Sequence, residues 1–175
     1  ALLIQLKAPD EHHPNEYTLA EDYLHAAYLA RSLEHPQYET RHYHEQSIRF
    51  AKSFGSQDQI FRALYDYAWS AFWWFEDEAK TREIFIEIVE ILKTTKEIEY
   101  FEKANNLWSL LYGSEMEQTG KLSEPSQQRR QVLISGLEYI TAQPGKPNAA
   151  LQAKTTRAML GLTESLQEKN INEAQ

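Results

Sequence analysis

Three features of this 175-residue chain predict an all-α fold. Apolar residues recur at three- and four-residue spacing almost throughout, strand-like alternation is absent, and glycine and proline stand mainly at the joints. The spacing predicts seven helices, near residues 19–34, 36–54, 57–75, 78–93, 96–116, 125–142 and 148–168. Their starts follow from capping. Thr18 with Glu21, Ser56 with Gln59 and Thr94 with Glu97 each set a hydroxyl three residues before a Glu or Gln, an arrangement that satisfies amides left open in a first turn. Pro36 and Pro125 suit first-turn positions, where no N–H is needed. Gly55, Gly113 and the pair Pro144 and Gly145 read as stops or breaks. Residues 119–124 form the longest interior interruption.

Short links make successive helices antiparallel neighbours. The odd-numbered helices begin near 19, 57, 96 and 148, which implies a two-helix unit of about forty residues, within the range of helical repeats. The first helix of each unit carries small residues that let helices approach closely: Ala20, Ala26, Ala27 and Ala30, then Ala63, Ala68 and Ala71, then Ala104.

On one of these helices Leu64, Tyr67, Ala68 and Ala71 precede a short turn at Glu76 and Asp77, and Ile84 and Ile88 follow on its partner. In these features the chain resembles the tetratricopeptide-like α-solenoids over Thr18 to Leu162. The resemblance implies a right-handed superhelix of antiparallel helix pairs, with three units and a final helix that caps the array. It also implies that the first helices of successive units line a concave face. The expected organisation is a lead-in at residues 1–17, a repeat domain at 18–168 and a tail at 169–175.

Composition narrows the function classes. A hydrophobic content of 42% in 175 residues suits one well-filled domain. The formal charge of −8, spread along the helices, repels a phosphate backbone, so no nucleic-acid partner is expected. With no cysteine there is no disulfide scaffold, thiolate nucleophile or cysteine-built zinc site. No apolar run reaches the roughly twenty residues that cross a bilayer, so no membrane partner is expected. The opening ALLIQLKAP, without an initiator methionine, reads as the end of a preceding domain in a longer polypeptide, and removal of an export signal is the alternative. A cytoplasmic location follows from the first of these.

The stretch Tyr65 to Phe75, YDYAWSAFWWF, holds seven aromatic rings in eleven residues. On a helical wheel Phe61, Leu64, Tyr67, Ala68, Ala71, Phe72 and Phe75 share one broad face, which Ile84, Phe85, Ile88 and Leu92 of the next helix suit as a cover. Tyr65, Trp69 and Trp73 form a second ridge spaced by four, and such a helix needs neighbours on both sides. Burial between repeats, against Tyr28 or against Trp108 and Tyr112, is one account. The other comes from the solenoid resemblance, in which Tyr65, Trp69, Trp73, Asn105 and Trp108 line a groove for a peptide or partner helix.

All six histidines precede residue 45, and Glu39 with His42 has the E-x-x-H spacing of di-iron bundles, as Asp22 with His25 has D-x-x-H. A second E-x-x-H and inward carboxylates on later helices are missing, and the wheel sets these residues on polar faces, so no metal is expected. His44, beside Tyr43, Ile48 and Ala51, reads as a partly covered histidine bonded to a neighbour. There is no phosphate-cradling glycine loop, no G-x-S-x-G elbow and no H-E-x-x-H. The pairs Glu76 with Glu78 and Glu87 with Glu90 read as solvated, and Arg129 with Arg130 and nearby Lys121 forms the one compact basic spot.

The function expected from these residues is that of a protein-interaction or sensor module in a larger regulator or scaffold. It has a protein or peptide partner, no cofactor and no catalysis of its own. A small-molecule or peptide sensor pocket lined by the aromatics, and a metal-dependent bundle enzyme on Glu39 and His42, are the alternatives.

Overall fold

The computed structural model describes residues 15–174, with side chains through Lys169. Their regular structure consists of seven α-helices and no strand: α1 (Glu16–Ser32), α2 (Gln37–Phe54), α3 (Gln57–Trp73), α4 (Glu78–Leu92), α5 (Ile98–Thr119), α6 (Glu124–Thr141) and α7 (Pro147–Ala174). The sequence ALLIQLKAP, His12 and His13 lie outside the described residues. Part of the expected tail is helical, because α7 runs to Ala174. The chain divides into two compact units, Ala1–Asp77 and Glu78–Gln175. The division falls between α3 and α4, the two helices that the spacing sets in one pair.

In the first unit α1 packs on α2 and α3, and α2 packs on α3. Ala20, Ala26, Ala27, Ala30, Ala63, Ala68 and Ala71 are all buried, as their small size on one face predicts. Tyr23 of α1 stacks on Phe50 of α2 with ring centroids 5.4 Å apart, and Ser47 donates to the Ala20 carbonyl at 2.8 Å. That bond lets a hydroxyl sit in the interior without an orphaned donor.

The caps correct the sequence in two places and bear it out in a third. Asn15, not Thr18, opens α1, accepting the Tyr17 N–H at 3.0 Å, while Thr18 donates back to the Asn15 carbonyl. At α5 the hydroxyl that meets the Glu97 N–H belongs to Thr95, and Thr94 instead donates to the Ile91 carbonyl of the preceding helix. Ser56 and Gln59 form the expected reciprocal box on α3. Helices α1 and α3 both close through a glutamate in the left-handed region, Glu34 (φ 55°) and Glu76 (φ 50°). The amides just beyond, of His35 and Asp77, donate to the carbonyls of Ala30 and Ala71 at 2.9 Å.

In the second unit α4 packs on α5 and α6, α5 on α6 and α7, and α6 on α7; α4 and α7 are not a packed pair. Ile84, Phe85, Ile88 and Leu92 of α4 are buried, as are Phe101, Ala104 and Leu107 of α5 and Leu133 and Leu137 of α6. Gly113 is not a stop. It lies inside α5, where an added Cβ would stand 3.2 Å from the Gln167 amide of α7, and the helix ends at Gly120 with φ 69°. Gly136 of α6 seats the Phe101 ring: a Cβ there would come within 2.1 Å of it. Helix α7 buries Ala153 and Leu160 on one face and exposes Leu151, Met159, Leu162 and Leu166 on the other.

Candidate functional site

The candidate site in the first unit is the ridge on α3. With Phe61, Leu64, Tyr67, Ala68 and Ala71 turned inward, the helical period throws Tyr65, Trp69 and Trp73 to another side. Their rings form a continuous run, Tyr65 to Trp69 at 6.0 Å and Trp69 to Trp73 at 6.0 Å. Tyr65 and Trp69 are half-buried, whereas Trp73 and Trp74 remain 52% and 51% exposed. Arg31 of α1 reaches across, its guanidinium 4.0 Å from the Trp74 ring centroid and 5.1 Å from that of Tyr28. This stacking holds both aromatics in place and adds a cation to the surface. Burial, then the neighbouring Asp66 carboxylate, pushes the Tyr28 hydroxyl up to about 12, so it stays protonated.

Beneath the ridge lies a polar triad that sequence reasoning missed in part. Arg31 donates to the Ser70 hydroxyl at 2.8 Å, Ser70 lies 3.2 Å from His44 Nε2, and the imidazole stacks on Tyr67 at 4.9 Å with a 4° tilt. His44 is fully covered, at 1% exposure, where partial cover was expected. Burial, then the Arg31 charge, lowers its pKa to about 3, so the ring is neutral. Among the described residues His44 Nδ1 is buried without a hydrogen-bond partner, and no carboxylate there orients the ring as a base for Ser70. The signal that could have found Ser70 is a lone hydroxyl on the inward stripe, three residues after Tyr67.

The remaining two predicted groove residues, Asn105 and Trp108, are in the second unit, and both are buried, at 7% and 2% exposure. Trp108 meets Phe85 at 6.4 Å and donates its indole N–H to Glu164 at 3.3 Å. Neither side chain lines an open surface, because their stripe on α5 is an interior one. The groove reading therefore keeps Tyr65, Trp69 and Trp73 alone. Trp108 is part of a network centred on Glu164, which Arg130 grips with two bonds of 2.6 Å, while the single Tyr112 hydroxyl proton is shared between the Glu164 carbonyl at 3.5 Å and Glu168 at 3.4 Å. Burial, then Glu168 and Glu164, pushes the Tyr112 hydroxyl up to about 12.

Arg130 is thereby taken out of the basic spot expected with Arg129 and Lys121. The Glu76 and Glu78 pair also departs from expectation: Glu78 bonds Arg82, Ser114 and Gln118 rather than water alone. Burial would raise the Glu115 carboxyl, but bonds from the Ser126 hydroxyl at 2.6 Å, the Ser123 amide at 2.7 Å and Arg82 at 3.1 Å hold it at about 2. Glu115 thus meets the start of α6 from a neighbouring helix, while the Ser123 hydroxyl, which makes no cap bond to the first turn, donates to the Ser126 hydroxyl at 3.1 Å.

Glu39 accepts from the Tyr43 hydroxyl at 3.1 Å and lies 3.1 Å from His35 Nδ1, while His42 and His25 are exposed. Among the described residues no group of three or more His, Cys, Asp or Glu is placed to hold a metal, and no helix is long and apolar enough to cross a membrane. Comparison with known proteins finds no matching family model, no matching curated protein and no matching solved structure.

Proposed function

We propose that the chain is a protein-interaction module of a larger regulatory or scaffold protein, and that the ridge Tyr65, Trp69 and Trp73 is where a peptide or helix of the partner docks. The observation that carries this reading is a run of adjoining rings from Tyr65 through Trp69 to the half-exposed Trp73, with the equally exposed Trp74 next in the chain, on a helix whose other face is already buried. Indole and phenol side chains combine large apolar area with a hydrogen-bonding tip, and they dominate binding hot spots. The Arg31 guanidinium stacked on Trp74 supplies a fixed cation at the edge for a partner carboxylate.

The helices belong, on this reading, to a tetratricopeptide-like right-handed stack of antiparallel pairs. Support comes from the second unit, where each helix packs on the next one or two in the chain and, among the described residues, the first and last are not a packed pair. A closed bundle would bring its terminal helices together, whereas an open stack leaves them apart.

The test replaces both indoles in the full chain, W69A/W73A, and compares capture of binding proteins with the unaltered chain. Loss of about 2 kcal/mol or more of binding is expected, with helicity and melting temperature nearly unchanged. Loss of helicity instead would assign the ridge to the interior and refute the proposal.

A further inference from the structure

A second surface, of different chemistry and independent of the aromatic ridge, lies between α4 and α6. Two adjoining depressions of about 520 and 220 Å³ share Lys93, Gln128 and Val132. Their floor is apolar, made by the buried Val89 and Leu92 of α4 with Val132 and Gly136 of α6, and the exposed Ile86 and Tyr139 complete the lining. Gly136 owes its bareness to packing, since its missing side chain is what admits the Phe101 ring on the opposite side. The rim carries Lys93, Lys96 and Arg129 against one carboxylate, Glu90, which Lys93 already pairs at 2.5 Å. Lys96 is held above the Tyr139 ring, 4.5 Å from its centroid. In a chain whose net charge is −8, this groove is locally cationic.

From this complementarity we infer that the groove docks an extended, acidic and partly apolar peptide segment of a partner protein. The span from Pro125 to Tyr139 along α6 is about 20 Å at the helical rise, room for roughly six extended residues. Alternate side chains of such a segment meet the apolar floor, and those between present carboxylates to Lys96 and Arg129. Gln128 and Gln131 suit its backbone: each uses its amide N–H within the helix, on Glu124 at 3.5 Å and Ser135 at 3.0 Å, and keeps its oxygen for a peptide N–H. Those acceptors and the apolar floor fit a peptide better than a phosphate backbone, which asks for donors throughout.

The experiment selects binders of the full chain from a phage-displayed library of random twelve-residue peptides. It then measures synthetic peptides against the unaltered chain, K96E/R129E, V132R and W69A/W73A. Enrichment of Asp and Glu beside Leu, Ile, Val or Phe is expected, with affinity weakened at least about tenfold by K96E/R129E and by V132R, weakened by salt, and unmoved by W69A/W73A. The charge-reversed residues lie on the surface, so circular dichroism should match the parent. The inference is overturned by an absence of acidic enrichment or by acidic peptides indifferent to K96E/R129E. Peptides lost only in W69A/W73A would overturn it in favour of the ridge. Equal binding of heparin, without apolar preference, would make the groove a general polyanion site, and self-association abolished by K96E/R129E would assign it to a second copy of the chain.

Discussion

His44 is neutral because it is sealed beneath the ridge with Arg31 nearby, and that fixes the sign of its contribution to stability. Unfolded, the ring takes a proton near its ordinary 6.5; folded, it does so only near 3. Between those values the unfolded chain binds more protons, so stability falls as pH falls, by up to about 1.4 kcal/mol per pH unit. Three of the four tryptophans, Trp69, Trp73 and Trp74, are in the first unit, so indole fluorescence reports it preferentially. The fluorescence-detected urea midpoint should drop between pH 6.5 and 4.5 in the parent chain and stay nearly flat in H44Q. Equal slopes would show that another group is responsible. At this scale the candidate site was half legible. The four-residue spacing gave Tyr65, Trp69 and Trp73, but the same spacing also describes an interior stripe, and only packing separates Trp73 from Trp108.

The helices themselves were legible because hydrophobic period and breakers agree along most of the chain, and the observed ends lie within a few residues of the expected ones except at α7, which runs to Ala174. Where they differ, a second capping side chain or glycine competes. Thr95 stands beside Thr94, Asn15 before Thr18, and Gly120 after a Gly113 that serves helix approach rather than termination. The ends of α1 and α3 come two residues before the expected 34 and 75, and each is followed by a glutamate in the left-handed position that glycine usually holds. The Cβ of each opposes that conformation by roughly 1–2 kcal/mol, a cost glycine avoids while giving back some chain entropy. E34G and E76G should therefore each raise the urea midpoint, by about 0.5–1 kcal/mol of stability, at constant m-value. A lower midpoint would mean that the glutamate side chains contribute more than the backbone strain removes.

At the scale of the whole molecule, the boundary at Asp77 and Glu78 was hidden because its four-residue link, Trp74 to Asp77, looks like any other tight helical joint. The two units carry different acid-sensitive groups. In the second unit Glu115 has its carboxyl depressed from 4.5 to about 2 by Ser126, Ser123 and Arg82, so its contribution is present above 4.5 and lost as pH falls toward 2. Acid titration of the full chain should give two curves that do not coincide, fluorescence moving first below about pH 6.5 and the remaining ellipticity later, below about 4.5. E115Q should shift only the later curve, and one shared transition for both probes would refute this account.

The carboxylate of Glu164 on α7 receives the indole N–H of α5 and the guanidinium fork of α6, so one side chain ties three rods of the second unit. Mutational drift at these places is consequently interlocked. A lineage that loses the acid at 164 strands a donor at 108 and a cation at 130, and its neutral route passes through Phe at 108 and an uncharged residue at 130 in the same stretch of descent.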